Sequence, residues 1–282
     1  MQTVAPHSIW ISGAVSALEA RALFEVRVRA TVPGRPIHLT LDCHFQGNNP
    51  LLSILGSKFA GQIRHISWIR CDIEESPMNV ASFLSSHCRN LTSLDLAFES
   101  ASELKFYALI LGISKLQKIT VNHCDMEHCE EFFEALTKSR VKDLSLESAM
   151  GPKFTEHLNR YLKTCQLTTL RMNVKDNPNL DLLLTTLEAV PTLTHLGLLE
   201  CDAIDQTAFT RLPRTLLTLE LSQHNFVSKF DWSFLPGTTI NRLVLTACDF
   251  YRGFTVDPLP KSIIHLVIDG YSLHGVREES LA

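Results

Sequence analysis

The sequence of 282 residues contains few glycines for its length, and it contains no long apolar run. Its twelve glycines form no phosphate-binding loop. The eight cysteines are scattered from Cys43 to Cys248 and do not form the compact framework of a small disulfide-rich protein, so we expect reduced thiols. No apolar run approaches the ~18–20 residues that a membrane span needs. The N-terminus lacks a basic segment ahead of an apolar stretch, and we expect no secretory signal and a cytoplasmic or nuclear location.

Charge and catalytic motifs are also sparse. The net charge of −4 gives no reason to expect nucleic acid as a partner, and we expect no membrane partner either. Local sequence marks no serine or cysteine nucleophile. The carboxylates that fall on predicted strands have no evident desolvated pocket, which general acid–base catalysis requires. We therefore expect a protein that is not an enzyme and that has no catalytic residues and no cofactor.

A repeat of the form LxxLxLxx(C/N) dominates the chain. It is seen in "LTSLDLAFE" (91–99), "LTTLRMNVK" (167–175) and "LTHLGLLEC" (193–201), and its copies begin every 23 to 28 residues. The second apolar position of the ten copies falls at Leu39, Ile66, Leu94, Ile119, Leu144, Leu170, Leu196, Leu219, Leu243 and Leu266. Ten copies in one register indicate a repeat architecture with one continuous core.

The repeat resembles that of leucine-rich repeat proteins over roughly residues 36–273. "CRNLTSLDL" carries Cys88 three places before Leu91, and Cys71, Cys124, Cys201 and Cys248 occupy the ninth position of their copies. These early units are similar to the cysteine-containing subtype found in ribonuclease-inhibitor-like proteins and in many F-box proteins. The resemblance implies an α/β fold: a right-handed solenoid (horseshoe) with a parallel concave sheet.

The segments that return from one strand to the next fall into two classes. Helical spacing of apolar residues predicts outer, convex helices over 79–88, 104–113, 129–138, 154–163 and 180–190. The last units instead carry "LPRT", "LPGTT" and "LPKS" before the strand. Because proline removes an amide donor and biases the preceding residue towards extended backbone, we expect 3-10 turns or extended returns there.

The two ends of the chain depart from the repeat. Residues 1–35 are predicted to form an N-terminal cap, with "HSIWIS" as a degenerate first strand and a helix near 16–29. About ten repeats follow over 36–273. Residues 274–282 are polar, and we expect this tail to fray.

"VNHCDMEHCE" (121–130) looks at first like a zinc site, with two His-Cys pairs. Its register within the repeat argues otherwise. Cys124 ends a strand, and Cys129 starts an outer helix whose buried side carries Phe132 and Phe133. The four candidate ligands diverge, whereas tetrahedral zinc needs four that converge. We therefore expect no metal site.

The concave face is the better candidate for a site. Because side chains alternate along a strand, the third, fifth and seventh positions of each copy project from it. His38 and His65 fall in the third column on neighbouring strands and suggest a pH-sensitive patch. Solenoids bind extended partners on such surfaces. The predicted partner-binding residues are Asp95, Lys118, Thr120, Asn122, Asp143, Glu147, Arg171, His195, Glu220 and Arg242.

The function indicated is therefore that of a non-catalytic, monomeric scaffold that binds another protein. Two alternatives remain open. The chain could be the substrate-recognition part of a ubiquitin-ligase adaptor of the F-box type, although no adaptor box is recognisable. It could also regulate a small GTPase, as one branch of ribonuclease-inhibitor-like proteins does. The sequence does not identify the partner.

Overall fold

Alternating apolar and polar residues form the parallel strands of this protein, and outer helices connect many of them. The computed structural model divides into two units, Met1–Lys142 and Asp143–Ala282. It describes residues 6–12, 16–32, 34–42, 50–71, 77–98, 102–122, 124–125, 129–147, 151–175, 177, 180–200, 206–223, 225–226, 235, 237–250 and 259–269. No helix within these ranges is long and apolar enough to cross a membrane.

The first unit contains a run of parallel strands and their returns. In chain order its elements are β1 (His7–Ser12), α1 (Ala17–Arg29), β2 (Ile37–Asp42), α2 (Pro50–Leu55), a 3-10 turn (Ala60–Gln62), β3 (Ile63–Cys71), α3 (Pro77–His87), β4 (Ser93–Phe98), β5 (Ser102–Glu103), α4 (Leu104–Ile110), β6 (Lys118–Val121), β7 (Cys124–Asp125) and α5 (Cys129–Lys138). Strands β1, β2, β3, β4 and β6 are neighbours in that order, and β5 pairs separately with β7.

The second unit continues the same pattern with fewer helices. Its elements are β8 (Asp143–Leu146), α6 (Pro152–Leu162), β9 (Thr169–Asn173), α7 (Leu180–Glu188), β10 (His195–Leu199), a 3-10 helix (Gln206–Arg211), β11 (Thr218–Ser222), β12 (Asn225–Phe226), β13 (Arg242–Thr246), β14 (Asp249–Phe250) and β15 (His265–Asp269). Strands β8, β9, β10, β11, β13 and β15 are neighbours in that order, and β12 pairs with β14.

The predicted register of the repeats is confirmed. In the first unit Leu39 pairs with Ile66, Ile66 with Leu94 and Leu94 with Ile119. The second unit aligns its copies in the same way from Leu144 to Leu266. These residues are fully buried apart from Leu266. Each buried leucine contributes about 1.5–3 kcal/mol of transfer free energy, so the leucine row forms the core of each unit.

A tight turn precedes the strand in both styles of repeat. The carbonyl of Cys88 accepts a hydrogen bond from the Leu91 amide at 2.8 Å, as the carbonyl of Pro213 does from Leu216 at 3.1 Å. Pro260 and Ile263 repeat the arrangement at 3.0 Å. The turn uses only the carbonyl of its first residue, so proline fits this position without the loss of a hydrogen bond.

The expected returns are found where the structure describes them. Helices α3, α4, α5, α6 and α7 occupy the five segments predicted to be helical, and α5 buries Phe132 and Phe133. In the late units Gln206–Arg211 is a 3-10 helix, as expected. The returns over 227–234 and 251–258 lie outside the described residues. The sequence did not predict α2, because six residues are too few to show helical spacing.

The N-terminal strand and helix are as expected. Strand β1 pairs in parallel with β2 and places Ile9 beside Leu39, so it continues the buried row. Helix α1 begins with a capping box: the Glu19 amide donates to the Ser16 hydroxyl at 3.3 Å, and the Ser16 amide donates to the Glu19 carboxylate at 2.8 Å. This box satisfies amides that would otherwise lack partners and fixes where α1 starts. The predicted tail at 274–282 lies outside the described residues.

Candidate functional site

Polar side chains project from the face of each sheet opposite the buried leucines, which we call the open face. In the first unit its third-position row is Ser8, His38, His65, Ser93 and Lys118, paired residue by residue. In the second unit the row is Asp143, Thr169, His195, Thr218, Arg242 and His265. Residues that share a position in the repeat are therefore neighbours on adjacent strands, as the sequence predicted.

The open face of the second unit carries a cluster of charged side chains. Arg171 Nε donates to Glu220 Oε2 at 2.9 Å, and its Nη1 lies 4.0 Å from Asp143 Oδ1. His195 Nε2 lies 3.3 Å from the same Glu220 oxygen and 3.4 Å from Arg171 Nη2. The exposed fractions of these side chains, 18–28%, place them between core and surface, where ion pairs are stronger than on an open surface.

Gly197 makes the central ion pair of this cluster possible. It lies on β10 between Arg171 on β9 and Glu220 on β11, directly paired with both. A Cβ atom at Gly197 would lie 2.7 Å from Cγ of Arg171, closer than carbon atoms can approach. The arginine side chain therefore crosses β10 through the space that glycine leaves, and it reaches a carboxylate two strands away.

Glu220 is held in its ionised form by this arrangement. The hydrogen bond from His195 is the largest cause, and Arg171 adds a second hydrogen bond and its positive charge. Together they outweigh the cost of burial and lower the pKa of Glu220 from 4.5 to about 2. Glu220 therefore carries a negative charge at neutral pH, held between Arg171 and His195.

The open face of the first unit carries a second group, around Asp95. Burial raises the pKa of Asp95, while the charge of Lys118 and a hydrogen bond with Thr120 oppose that rise. The rings of His38 and His65 lie beside this group with centroids 5.2 Å apart. Burial, together with the charges of His38 and Lys118, lowers the pKa of His65 to about 4. His65 is therefore neutral at physiological pH.

Two of the predicted contact residues are not exposed. Thr120 and Asn122 each retain only 4% of their surface, so the expectation that they are exposed is wrong. The Asn122 side-chain amide donates to the Leu96 carbonyl at 2.9 Å, and the Asn122 backbone amide donates to the Tyr107 hydroxyl at 3.3 Å. Asn122 thus satisfies backbone groups where the strand ends, and this is a structural role.

The other predicted residues stay at the surface or near it. Glu147 and Arg242 are exposed, while Lys118, Asp95 and the four charged residues of the second unit's cluster are half-buried. Asn173 has the same role as Asn122: its amide donates to the Glu147 carbonyl at 3.3 Å and to the Glu200 carboxylate at 2.8 Å. Sequence reasoning missed Gly197, although its place in the fifth column between Arg171 and Glu220 could have revealed it.

The structure describes only part of the His-Cys stretch, residues 121–122, 124–125 and 129–130. Val121 is buried and Cys129 begins α5, as the repeat register predicted. His123, Met126 and His128 lie outside the described residues. Within the described ranges no group of three or more His, Cys, Asp or Glu side chains could hold a metal ion. Cys88, Cys129, Cys165 and Cys248 are free thiols.

Comparisons with known proteins add little to the structure. No protein-family model matches the sequence, and no curated protein matches it significantly. Among solved structures, an internalin from Listeria monocytogenes is similar, with a TM-score of 0.46 and 15% sequence identity. The alignment covers 84% of this chain and 61% of the internalin chain, so this chain spans less than two thirds of that protein's length.

Proposed function

We propose that this chain is a non-catalytic scaffold that binds another protein on the open faces of its repeats. The observation that carries the proposal is the charged cluster of Arg171, Glu220, His195 and Asp143 in the second unit. Its side chains hold one another in place before any partner arrives. A partner that meets such a surface loses less side-chain entropy than it would on a flexible one, and it finds complementary charge already positioned.

Charge reversal at exposed or half-buried positions of the open faces tests the proposal without replacing a core residue. Glu147→Lys with Arg242→Glu alters the second unit's open face, and Lys118→Glu alters the first unit's. Glu134→Lys with Lys138→Glu on α5 is the matched control, because it reverses an exposed pair on an outer helix. We expect partners captured by the wild-type chain from a native lysate to be lost from the open-face variants and kept by the control. Equal capture by all variants would contradict the proposal.

The identity of the captured protein separates the finer alternatives. Recovery of the adaptor subunit that F-box proteins bind would favour a role in ubiquitin-ligase recognition. Recovery of a small GTPase, followed by an altered hydrolysis rate in the presence of the chain, would favour a regulatory role. A partner of another kind leaves the plain scaffold. We also expect the chain to be monomeric before it binds, which sedimentation velocity measures directly.

We further infer that the early units belong to the cysteine-containing subtype of leucine-rich repeats. Support comes from Cys88, which is fully buried and whose thiol lies 3.8 Å from the Ala60 carbonyl. Burial raises the pKa of this thiol to about 12, so it stays protonated and acts as a small apolar side chain with a weak donor. Replacement by serine, which demands stronger hydrogen bonds, should destabilise the unit more than replacement by alanine.

A further inference from the structure

A groove of about 460 Å³ lies on the outer side of the second unit, between α6 and α7. It is separate from the open face, and the proposed scaffold function does not use it. Helix α6 buries Phe154, Leu158 and Leu162 towards the core and turns its charged residues outwards. Between these two faces lies Asn159, whose side chain lines the groove.

Asn159 is the unusual residue of this groove. It retains only 7% of its surface, yet neither its Nδ2 nor its Oδ1 has a hydrogen-bond partner among the described residues. A buried amide without partners is destabilising, and an apolar residue would fit the margin of the helix better. The amide presents a donor and an acceptor side by side, and a backbone peptide group presents the complementary pair.

The rim of the groove is basic. Its lining includes three basic residues, Lys153, Arg160 and Lys163, and one acidic residue, Glu156, which gives a net charge of +2. Arg160 donates to Glu156 at 3.0 Å, so this pair largely neutralises itself. Lys153 and Lys163 are both exposed, and they supply the remaining positive charge at the two ends of α6. An anionic ligand is favoured over a cationic or neutral one.

The α7 side of the groove is partly apolar. Leu182 leaves 57% of its surface in contact with solvent, although Leu183, Leu184 and Leu187 of the same helix are buried. Thr186 lies one turn further along α7 and is nearly buried. This wall therefore offers contact area for one apolar side chain of a ligand.

We propose that the groove between α6 and α7 binds a short acidic peptide segment in extended conformation. One peptide group of the segment bonds to both amide atoms of Asn159, its carboxylates contact Lys153 and Lys163, and an apolar side chain covers Leu182. The amide is covered in the free chain, so the peptide displaces the flexible ends of the side chains at the rim. Binding gives the Asn159 amide the hydrogen bonds that the described residues do not supply.

A defined peptide pool tests this proposal on the full chain. The probe is a fluorescein-labelled pool of hexapeptides. Leucine is fixed at the third position, and each of the remaining five positions is Asp or Glu. We expect saturable binding by fluorescence anisotropy that weakens as salt is raised, because exposed charges are screened. A matched pool with Lys and Arg in place of Asp and Glu should not bind.

Two sets of variants locate the binding. Asn159→Leu should weaken binding of the acidic pool at least tenfold, and Lys153→Gln with Lys163→Gln should do the same. Lys105→Gln with Lys138→Gln, on the outer helices α4 and α5 of the first unit, is the matched control and should bind like the wild type. Asn159→Leu should keep the thermal midpoint or raise it by about 2–4 °C, because it removes a buried amide that lacks partners.

Several results would overturn the proposal. The acidic pool could fail to bind the wild-type chain at millimolar concentration, or it could bind Asn159→Leu as tightly as the wild type. A lower thermal midpoint for Asn159→Leu would show that the amide stabilises the fold and is not reserved for a ligand. Loss of pool binding in the open-face variants, with retention in Asn159→Leu, would place the peptide on the open face. Failure of the scaffold proposal itself leaves these groove measurements unaffected.

Discussion

The variant Gly197→Ala isolates the ion pair that crosses β10. The added Cβ would lie 2.7 Å from Cγ of Arg171, so the arginine must leave its path and its 2.9 Å contact with Glu220 must break. The backbone itself tolerates alanine, since Gly197 is not among the positive-φ residues. The methyl group that alanine adds on β10 therefore separates Arg171 from Glu220, although neither of those residues is replaced.

The magnitude follows from the pKa of Glu220. A decrease from 4.5 to about 2 corresponds to roughly 3 kcal/mol. His195 supplies part of this, and solvent screening in the half-open site reduces the remainder, so the contact with Arg171 contributes about 1–2 kcal/mol. Alanine restricts the unfolded chain and returns about 0.4–1 kcal/mol. We therefore expect Gly197→Ala to lower the free energy of unfolding by about 1 kcal/mol at pH 7, measured by urea denaturation.

A double-mutant cycle distinguishes this mechanism from a general effect of alanine. In an Arg171→Ala background the clashing Cγ is absent, so Gly197→Ala should be neutral or slightly stabilising. The same loss in both backgrounds, or no loss in the wild-type background, would refute the reasoning. The pH dependence supplies a second check, because the variant should lose the part of the acid-sensitive stability of Glu220 that Arg171 contributes and keep the part that His195 contributes.

Three further predictions concern single residues. The pKa of Glu220 is lowered in the folded state, so its stabilisation is present above pH 4.5 and is lost as the pH falls towards about 2. Glu220→Gln should therefore make the free energy of unfolding depend less on pH between about 4.5 and 2. Ala247 follows β13 at φ 50°, where a side chain costs ~1–2 kcal/mol, so Ala247→Gly should raise the urea midpoint and Ala247→Val should lower it. Asn122→Ala should cost about 1–3 kcal/mol through the lost bond to Leu96 yet leave partner capture intact, and capture lost without destabilisation would restore its predicted contact role.

The left-handed turns show how far the repeat pattern alone reaches. Glu200, Gln223 and Ala247 all have φ of 50–54° at the residue after strands β10, β11 and β13. The repeat predicts that the chain turns at this point in every copy. It does not predict the left-handed conformation, because none of these three residues is a glycine or asparagine, the types that favour it.

The buried row, the strand register and the outer helices could be read from the sequence, because each depends on the spacing of residues within one repeat. Leucines at alternate residues of a strand point to one face of the sheet, and the same leucines recur in the next copy, so that face is the buried one. The residues between them then point to the opposite face. The rows from His38 to Lys118 and from Asp143 to His265 were assigned in this way, and the structure pairs them so.

Only the tertiary structure decided which of these projecting side chains remain accessible. Thr120 and Asn122 occupy open-face and strand-end positions, yet both are buried, and Asn122 bonds to Leu96 on the neighbouring strand and to Tyr107. The pairing of Arg171 on β9 with Glu220 on β11 depends on the space at Gly197, because the arginine side chain must cross β10. Periodicity fixes the direction in which a side chain leaves its strand. The contacts it makes depend on the size and charge of side chains from other repeats, which no single repeat contains.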